Sequence, residues 1–190
     1  DGLNWTHTRE AGRLIEREEG AWDGVMITSA EPPIRVGDQL YIYYGGSPSH
    51  HDWWIVGDAQ GLDTPEGKPG YNVNHGMGLA TLRVDGFVSL DAGLREGIIN
   101  TKPFFSTGAK LIVNAKCGPN GYVKAEIQDT AENPWPGFTT DDCDVFSGDA
   151  VNHIVSWKGN SQINMIPGYV RVSFTLKDAE LYSFRVADDA

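Results

Sequence analysis

From Met77 onward, apolar and polar residues alternate in short runs. The clearest runs are residues 79–83, 87–90, 122–127, 151–157, 169–174 and 181–186. Alternation with a period of two is typical of β-strands that bury one face. Seven or eight such runs, spaced by about twelve residues, predict an antiparallel β-sandwich of the jelly-roll or concanavalin-like kind over residues 77–190.

The first part of the chain has a different pattern. Residues 1–46 contain short apolar runs broken by Gly, Asp and Pro, and end in the aromatic run 39–44. Three or four strands of this kind make one sheet or one propeller blade, so we expect β-hairpins here. Residues 47–76 are rich in Gly, Pro, His, Asp and Trp and lack periodicity, which predicts a connecting loop.

A tight hairpin is predicted at the start of the sandwich. Asp85-Gly86 stands between the alternating runs 79–83 and 87–90. An Asp-Gly pair between two strands favours a two-residue turn, because both residues tolerate positive φ. Helical periodicity is nearly absent from the whole chain.

The charge balance excludes some partners. The net charge is −11, from 15 basic and 26 acidic residues. Nucleic acid is not expected, because phosphate binding needs a Lys/Arg surface. No run approaches the roughly 18 apolar residues of a membrane helix, so no membrane partner is expected. Neutral sugars suit an acidic surface better. The sequence does not indicate an oligomeric state.

The cellular location is inferred from features of the whole sequence. No basic segment followed by an apolar segment is present, so any signal peptide would already have been removed. The chain is of the secreted type, and we expect a secreted or periplasmic protein.

Alternation also assigns the two faces of the predicted sheet. One face is the core: Val123, Ala125, Ile127, Val170, Val172 and Phe174. The other carries Tyr122, Lys124, Glu126, Arg171, Ser173 and, from a third strand, Asn114. An aromatic ring can stack on a sugar, and amides and charges can hydrogen-bond its hydroxyls. Tyr122, Glu126, Arg171 and Asn114 are therefore candidate ligand-binding residues. The alternative is a solvated face with cross-strand ion pairs.

The connecting loop holds a dense group of candidate residues, His50, His51, Asp52, Trp53 and Trp54. The tryptophans either fill an apolar gap or stack on a sugar, and the histidines are candidate ligand contacts. Adjacent histidines in an extended loop rarely converge on one ion, so no metal site is predicted.

A second polar loop surrounds Cys143 with Asp141, Asp142, Asp144 and Asp149. Clustered carboxylates can hold calcium, but the spacing does not match an EF-hand loop. An acidic turn in solvent is the preferred interpretation, and no cofactor is predicted.

The two cysteines leave their state open. Cys117 and Cys143 stand on either side of a predicted strand. They either form a disulfide or remain two free thiols, since the required geometry cannot be read from spacing.

Signatures of nucleophilic catalysis are missing from the sequence. There is no Gly-x-Ser-x-Gly elbow and no glycine-rich phosphate loop. A glycosidase needs two carboxylates about 5–10 Å apart across a cleft. Asp23 and Glu126 are candidate catalytic residues for such a pair by residue type.

Several segments resemble one class of bacterial enzyme. The stretch from Trp22-Asp23-Gly24 to Tyr44-Gly45-Gly46 resembles the last blade of five-bladed β-propeller glycoside hydrolases of families 32 and 43. Residues 78–93, 155–157, 170–174 and 179–184 are similar to the sandwich that follows such propellers. The resemblance implies a carbohydrate-associated protein. In that class the catalytic Asp and Glu come from early blades, which this sequence lacks.

The leading hypothesis is therefore a glycan-binding or accessory β-sandwich module whose partner is an oligo- or polysaccharide. A second hypothesis is a glycoside hydrolase with an Asp/Glu pair, one carboxyl having a raised pKa. A third is a purely structural domain that braces a propeller.

Overall fold

All regular elements in the described part of the chain are β-strands. A computed structural model describes residues 14–18, 20–29, 31–49, 60, 75–166 and 168–188. Strands that pair within these ranges are antiparallel, and no described residue is helical. The prediction of an all-β, antiparallel protein is confirmed. The chain divides between Val84 and Asp85 into two compact units.

The first unit contains a four-stranded sheet. Its strands are β1 (Met26–Thr28), β2 (Ile34–Val36), β3 (Gln39–Ser47) and β4 (Gly76–Arg83). The central strand is β3, whose aromatic and β-branched residues favour extended backbone. One edge of β3 pairs with β4, and the other pairs with β2 near its start and with β1 near its end.

The hairpin predicted around Asp85-Gly86 is wrong. Eight residues of β4 pair with β3 instead, with Leu82 opposite Leu40 and Ala80 opposite Ile42. Of the predicted run 87–90, only Leu90 is in a strand. Pairing with that run would therefore give β4 far fewer backbone hydrogen bonds than pairing with β3. Asp85 has a φ of 56°, and the turn it begins leads the chain into the second unit. The strand at residues 76–83 therefore belongs with the N-terminal sheet.

The second unit is built around two long strands. Its elements are β5 (Leu90–Ala92), β6 (Gly97–Asn100), β7 (Phe104–Phe105), β8 (Lys110–Gln128), β9 (Asp149–Ile154) and β10 (Tyr169–Ala187). Strands β8 and β10 pair along nearly their whole lengths. The other edge of β10 pairs with β7, β6 and β5 in turn, and the other edge of β8 pairs with β9.

The two long strands bend sharply near their middles. Residues 118–121 of β8 form an irregularity opposite Asp178, whose φ is 43°. A side chain at Gly121 would collide with the backbone of Asp178, so glycine is required for this close approach. A second irregularity follows between Leu181 and Ser183. Bulges of this kind increase the bend and twist of a strand.

As a result, the two halves of the sheet pack against each other. Their apolar side chains form one core cluster: Leu111, Val113 and Ala115 from the first half of β8, Val123, Ala125 and Ile127 from its second half, and Val170, Val172, Phe174, Leu176, Ala179 and Leu181 from β10. The predicted core residues are confirmed as buried. This packing accords with a sandwich, while the jelly-roll topology and the propeller-blade character of the first unit stay predictions.

A buried tryptophan from the loop after β9 completes the core. Trp157 is 1% exposed, and its indole N–H donates to the carbonyl of Ala125 at 2.9 Å. Phe138 meets it edge-on, with ring centroids 5.2 Å apart. These contacts hold the loop segments around Phe138 and Trp157 over the second half of β8.

Candidate functional site

Strands β6, β8 and β10 present one continuous surface, which we call the polar face. Its nine polar residues are Asn100 on β6, Tyr122, Lys124, Glu126 and Gln128 on β8, and Arg171, Ser173, Thr175 and Lys177 on β10. The exposed Ile98 of β6 lies among them, opposite Thr175. The register places Glu126, Ser173 and Asn100 in one row across the three strands. Directly opposed residues share a sheet face, so all nine side chains lie on the side away from the core. The four rows of residues extend for about 20 Å along the strands.

The carboxylate of Glu126 is held firmly on this face. Its Oε1 accepts a hydrogen bond from Gln128 Nε2 at 2.8 Å. Its Oε2 accepts from the backbone N–H and the hydroxyl of Thr140, at 3.0 and 3.3 Å. The group therefore ties the turn at residues 139–142 to the sheet, and both of its oxygens have protein donors.

Arg171 lies directly opposite Gln128, in the row next to that of Glu126. Its Nη1 donates to the carbonyl of Thr101 at 3.3 Å and lies 3.3 Å from the carboxylate of Glu132. Its Nε is buried and has no hydrogen-bond partner among the described residues. A buried donor of this kind costs about 1–3 kcal/mol unless water or a ligand accepts from it. The guanidinium is thus held in place through Nη1, while its buried Nε has no acceptor among the described residues.

The far end of the polar face carries Tyr122. Its hydroxyl donates to the carboxylate of Glu96, and this hydrogen bond raises the pKa of the phenol above its ordinary value. The ring is half-buried. In the middle of the face Ser173 is only 8% exposed, so the centre is recessed below its neighbours.

Asn114 does not lie on the polar face, and the prediction that it does is wrong. It is on the first half of β8, opposite Ser183, and is 2% exposed. Residues 110–115 and 122–127 are not separate strands but two halves of β8, separated by the bulge at residues 118–121. Because β8 bends there, Asn114 is buried in the other half of the sheet.

Four of the ligand-binding candidates belong to the connecting loop. His50, His51, Trp53 and Trp54 lie outside the described residues, as does Asp52. Their contribution to ligand binding stays a prediction.

Asp23 belongs to the first unit, whereas Glu126 belongs to the second. The hydroxyl of Tyr44 donates to Asp23 Oδ2 at 2.7 Å, and this hydrogen bond is the main reason that the pKa of Tyr44 is raised. Their assignment as a catalytic pair stays a prediction.

A feature that sequence reasoning missed lies beside Asp23. The rings of Trp22 and Tyr44 are nearly parallel, at 18°, with centroids 5.9 Å apart. We call them the aromatic pair. They lie against three glycines of the sheet, Gly46, Gly76 and Gly78. Glycines inside strands were the available signal, because they often mark a close approach by another group.

The acidic loop around Cys143 uses its carboxylates within the protein. Asp142 pairs with Lys158 and accepts from the hydroxyl of Thr139, and these contacts lower its pKa. Asp144 accepts from Ser156 at 2.6 Å and from the N–H of Gly159 at 2.8 Å, which lowers its pKa as well. Among the described residues, no group of three or more His, Cys, Asp and Glu side chains is arranged to hold a metal ion.

Both cysteines are free thiols, which decides between the two alternatives left open above. The sulfur of Cys143 accepts a hydrogen bond from the N–H of Ala125 at 3.2 Å. Burial raises the pKa of the Cys143 thiol. It also raises the pKa of the Cys117 thiol, which is half-buried. Neither is set up as a reactive thiolate.

Comparison with known proteins finds no similar protein. No protein-family model, curated protein or solved structure matches this chain. Within the described ranges, no helix has the length and apolar character needed to cross a membrane.

Proposed function

We propose that this protein is a carbohydrate-associated β-sandwich module that binds an oligo- or polysaccharide on the polar face. The proposal rests on one observation above the others. Polar side chains on three adjacent strands share this face, and those of Tyr122, Glu126 and Arg171 are held there by protein hydrogen bonds.

A sugar presents hydroxyl groups that both donate and accept, so its binding surface needs both kinds of partner. Lys124, Lys177 and Arg171 supply donors, Asn100 supplies both, and Tyr122 supplies an aromatic ring. Arg171 and Tyr122 are already held by protein contacts, so they lose less conformational entropy on binding. A few such hydrogen bonds plus stacking correspond to affinities of about 4–8 kcal/mol, in the millimolar to micromolar range.

Glu126 favours a binding role over a catalytic one. A general acid must carry a proton to the leaving group, whereas both oxygens of Glu126 already accept hydrogen bonds from Gln128 and Thr140. The resemblance of the sequence to propeller glycoside hydrolases supports a secreted or periplasmic module of such a protein. Hydrolysis by Asp23 and Glu126 is the alternative, and a domain that only braces a propeller is the third.

Affinity electrophoresis through gels that contain neutral soluble polysaccharides tests the binding proposal. We expect at least one polysaccharide to retard the protein, and Lys124→Ala and Arg171→Met each to weaken that retardation by about fivefold, the value of one hydrogen bond. Lys116→Ala is the matched control, since Lys116 is an exposed lysine on the first half of β8. Absence of retardation by every polysaccharide, or equal retardation of all three variants, would overturn the proposal.

The hydrolytic alternative has its own assay. Release of reducing sugar from the same polysaccharides, lost in Asp23→Asn or Glu126→Gln, would favour a glycoside hydrolase. Activity that persists in both variants would remove these two residues from a catalytic role.

A further inference from the structure

The aromatic pair lies unusually close to the sheet beneath it. An added Cβ at Gly46 would come within 2.6 Å of the Trp22 ring, and one at Gly76 within 2.7 Å. An added Cβ at Gly78 would lie closer still to the Tyr44 ring. The rings therefore occupy the space that side chains normally fill.

The two rings lie nearly parallel to each other over one face of the sheet. Gly78 is opposite Tyr44 and Gly76 is opposite Gly46 in the β3–β4 ladder, so both rings lie over the same face of the sheet. With their planes 18° apart they are stacked rather than T-shaped, and we call this stacked pair the platform. Trp22 is still 44% exposed.

The platform is fixed at its edges. Trp22 lies in a turn closed by two backbone hydrogen bonds of 3.1 Å, from Ala21 to Glu18 and from Gly24 to Ala21. Tyr44 is held by its hydrogen bond to Asp23, which follows Trp22 directly in the chain. The Asp23 carboxylate thereby stands next to the apolar surface.

A flat, exposed aromatic surface beside a fixed carboxylate suits one kind of ligand. The C–H face of a pyranose ring is flat and apolar, and its hydroxyls project around the rim, where a carboxylate can accept a hydrogen bond. A purely apolar ligand would give the carboxylate no hydrogen bond beyond the one from Tyr44. An acidic sugar would be repelled by Asp23 and by the net charge of −11.

We propose that Trp22 and Tyr44 form a sugar-stacking platform on the first unit, which takes neutral pyranose units and excludes acidic ones through Asp23. This inference rests on the proposed function in taking a carbohydrate as the ligand, but it assigns a site distinct from the polar face. Trp22 supplies most of the exposed stacking surface, and Asp23 accepts from a rim hydroxyl.

The test uses the whole chain with soluble xylan as the neutral probe and polygalacturonate as the acidic probe. Trp22→Ala is expected to weaken binding of xylan by about tenfold, a size consistent with the loss of one aromatic stacking contact. Trp22→Phe is expected to retain part of it. Tyr43→Ala is the matched control, because Tyr43 is 48% exposed on the same strand but on its opposite face. Asp23→Asn is expected to reduce the discrimination against polygalacturonate.

A second readout keeps the test valid if Trp22→Ala does not fold. In the wild-type protein, xylan is expected to protect part of the tryptophan fluorescence from acrylamide quenching, and Trp22→Phe is expected to remove the protected part. Unchanged binding in Trp22→Ala, or unchanged protection in Trp22→Phe, overturns the platform. If binding survives Trp22→Ala but falls in Arg171→Met, only the platform fails. If it falls in Trp22→Ala but not in Arg171→Met, only the polar face fails.

Discussion

The rings of Phe174 and Phe184 have centroids 5.3 Å apart, although both residues belong to β10 and are ten positions apart along it. A straight strand would separate them by about 33 Å. Strand β10 therefore doubles back on itself, and β8 follows it through the glycine bulge opposite Asp178. This bend encloses the core between two halves of one sheet and leaves the polar face on the outside of one of them.

The bulge is expected to be essential for stability. Gly121→Ala places a Cβ against the backbone of Asp178, and the strand cannot relax without losing its ladder. We expect a loss of about 2 kcal/mol or more in the free energy of unfolding, measured by urea denaturation. Gly93→Ala is the control, since nothing lies within 4 Å of the added Cβ and its effect should stay within about 0.5 kcal/mol. Equal effects of the two substitutions would contradict the tight approach.

Two tryptophans provide a second matched comparison. Trp157→Phe removes the indole donor and leaves the buried carbonyl of Ala125 without its partner, which should cost about 1–3 kcal/mol. Trp135→Phe removes an indole N–H that is buried without a partner among the described residues, so it should cost less. Thermal unfolding of both variants checks this order. A larger loss in Trp135→Phe would contradict it.

Period-two alternation was enough to predict strands at the positions of β9, β10 and both halves of β8, and the core side of β8 and β10. Val123, Val172 and Phe174 are buried as expected, because alternation needs only local register. It could not predict the position of Asn114, because that position depends on the bulge at residues 118–121, where β8 bends. Those four residues show no alternation of apolar and polar side chains.

Pairing between distant segments was also beyond the sequence. The ladder between β3 and β4 joins residues on either side of a long connection, and a local Asp-Gly turn suggested a nearer partner. The platform of Trp22 and Tyr44 was missed for the same reason, since the glycines beneath it lie on two strands far apart in sequence.

His153 is expected to make stability depend on pH. Its ring stacks on Phe146, with centroids 4.2 Å apart, and burial lowers its pKa below the ordinary value of 6.5. The unfolded chain therefore binds a proton at a higher pH than the folded one, so stability falls as the pH is lowered through 6.5.

Urea titrations between pH 8 and pH 5.5 measure this dependence. The window stays above the range in which Asp129, Asp142 and Asp144, whose pKa values are lowered, begin to bind protons. We expect His153→Phe to flatten the slope. A slope of the same size in the variant would assign the effect to another group.

The thiols give a direct chemical prediction. Because Cys117 and Cys143 are free and burial raises the pKa of both, alkylation of the native protein should be slow. After unfolding without reductant, an Ellman titration should count two thiols per chain. A count of zero would show that the two cysteines are joined in a disulfide.

The most direct test of glycan binding on the polar face is an NMR titration. The isotope-labelled protein is titrated with an oligosaccharide that it binds, and the chemical shifts of its backbone amides and arginine side chains are followed. We expect the largest shift changes on three neighbouring strands, at residues 98–101, 122–128 and 171–177, with the side-chain N–H of Arg171 among them. Shift changes that avoid these residues while the oligosaccharide is bound, or that are absent at millimolar concentrations of every neutral oligosaccharide tried, would contradict it.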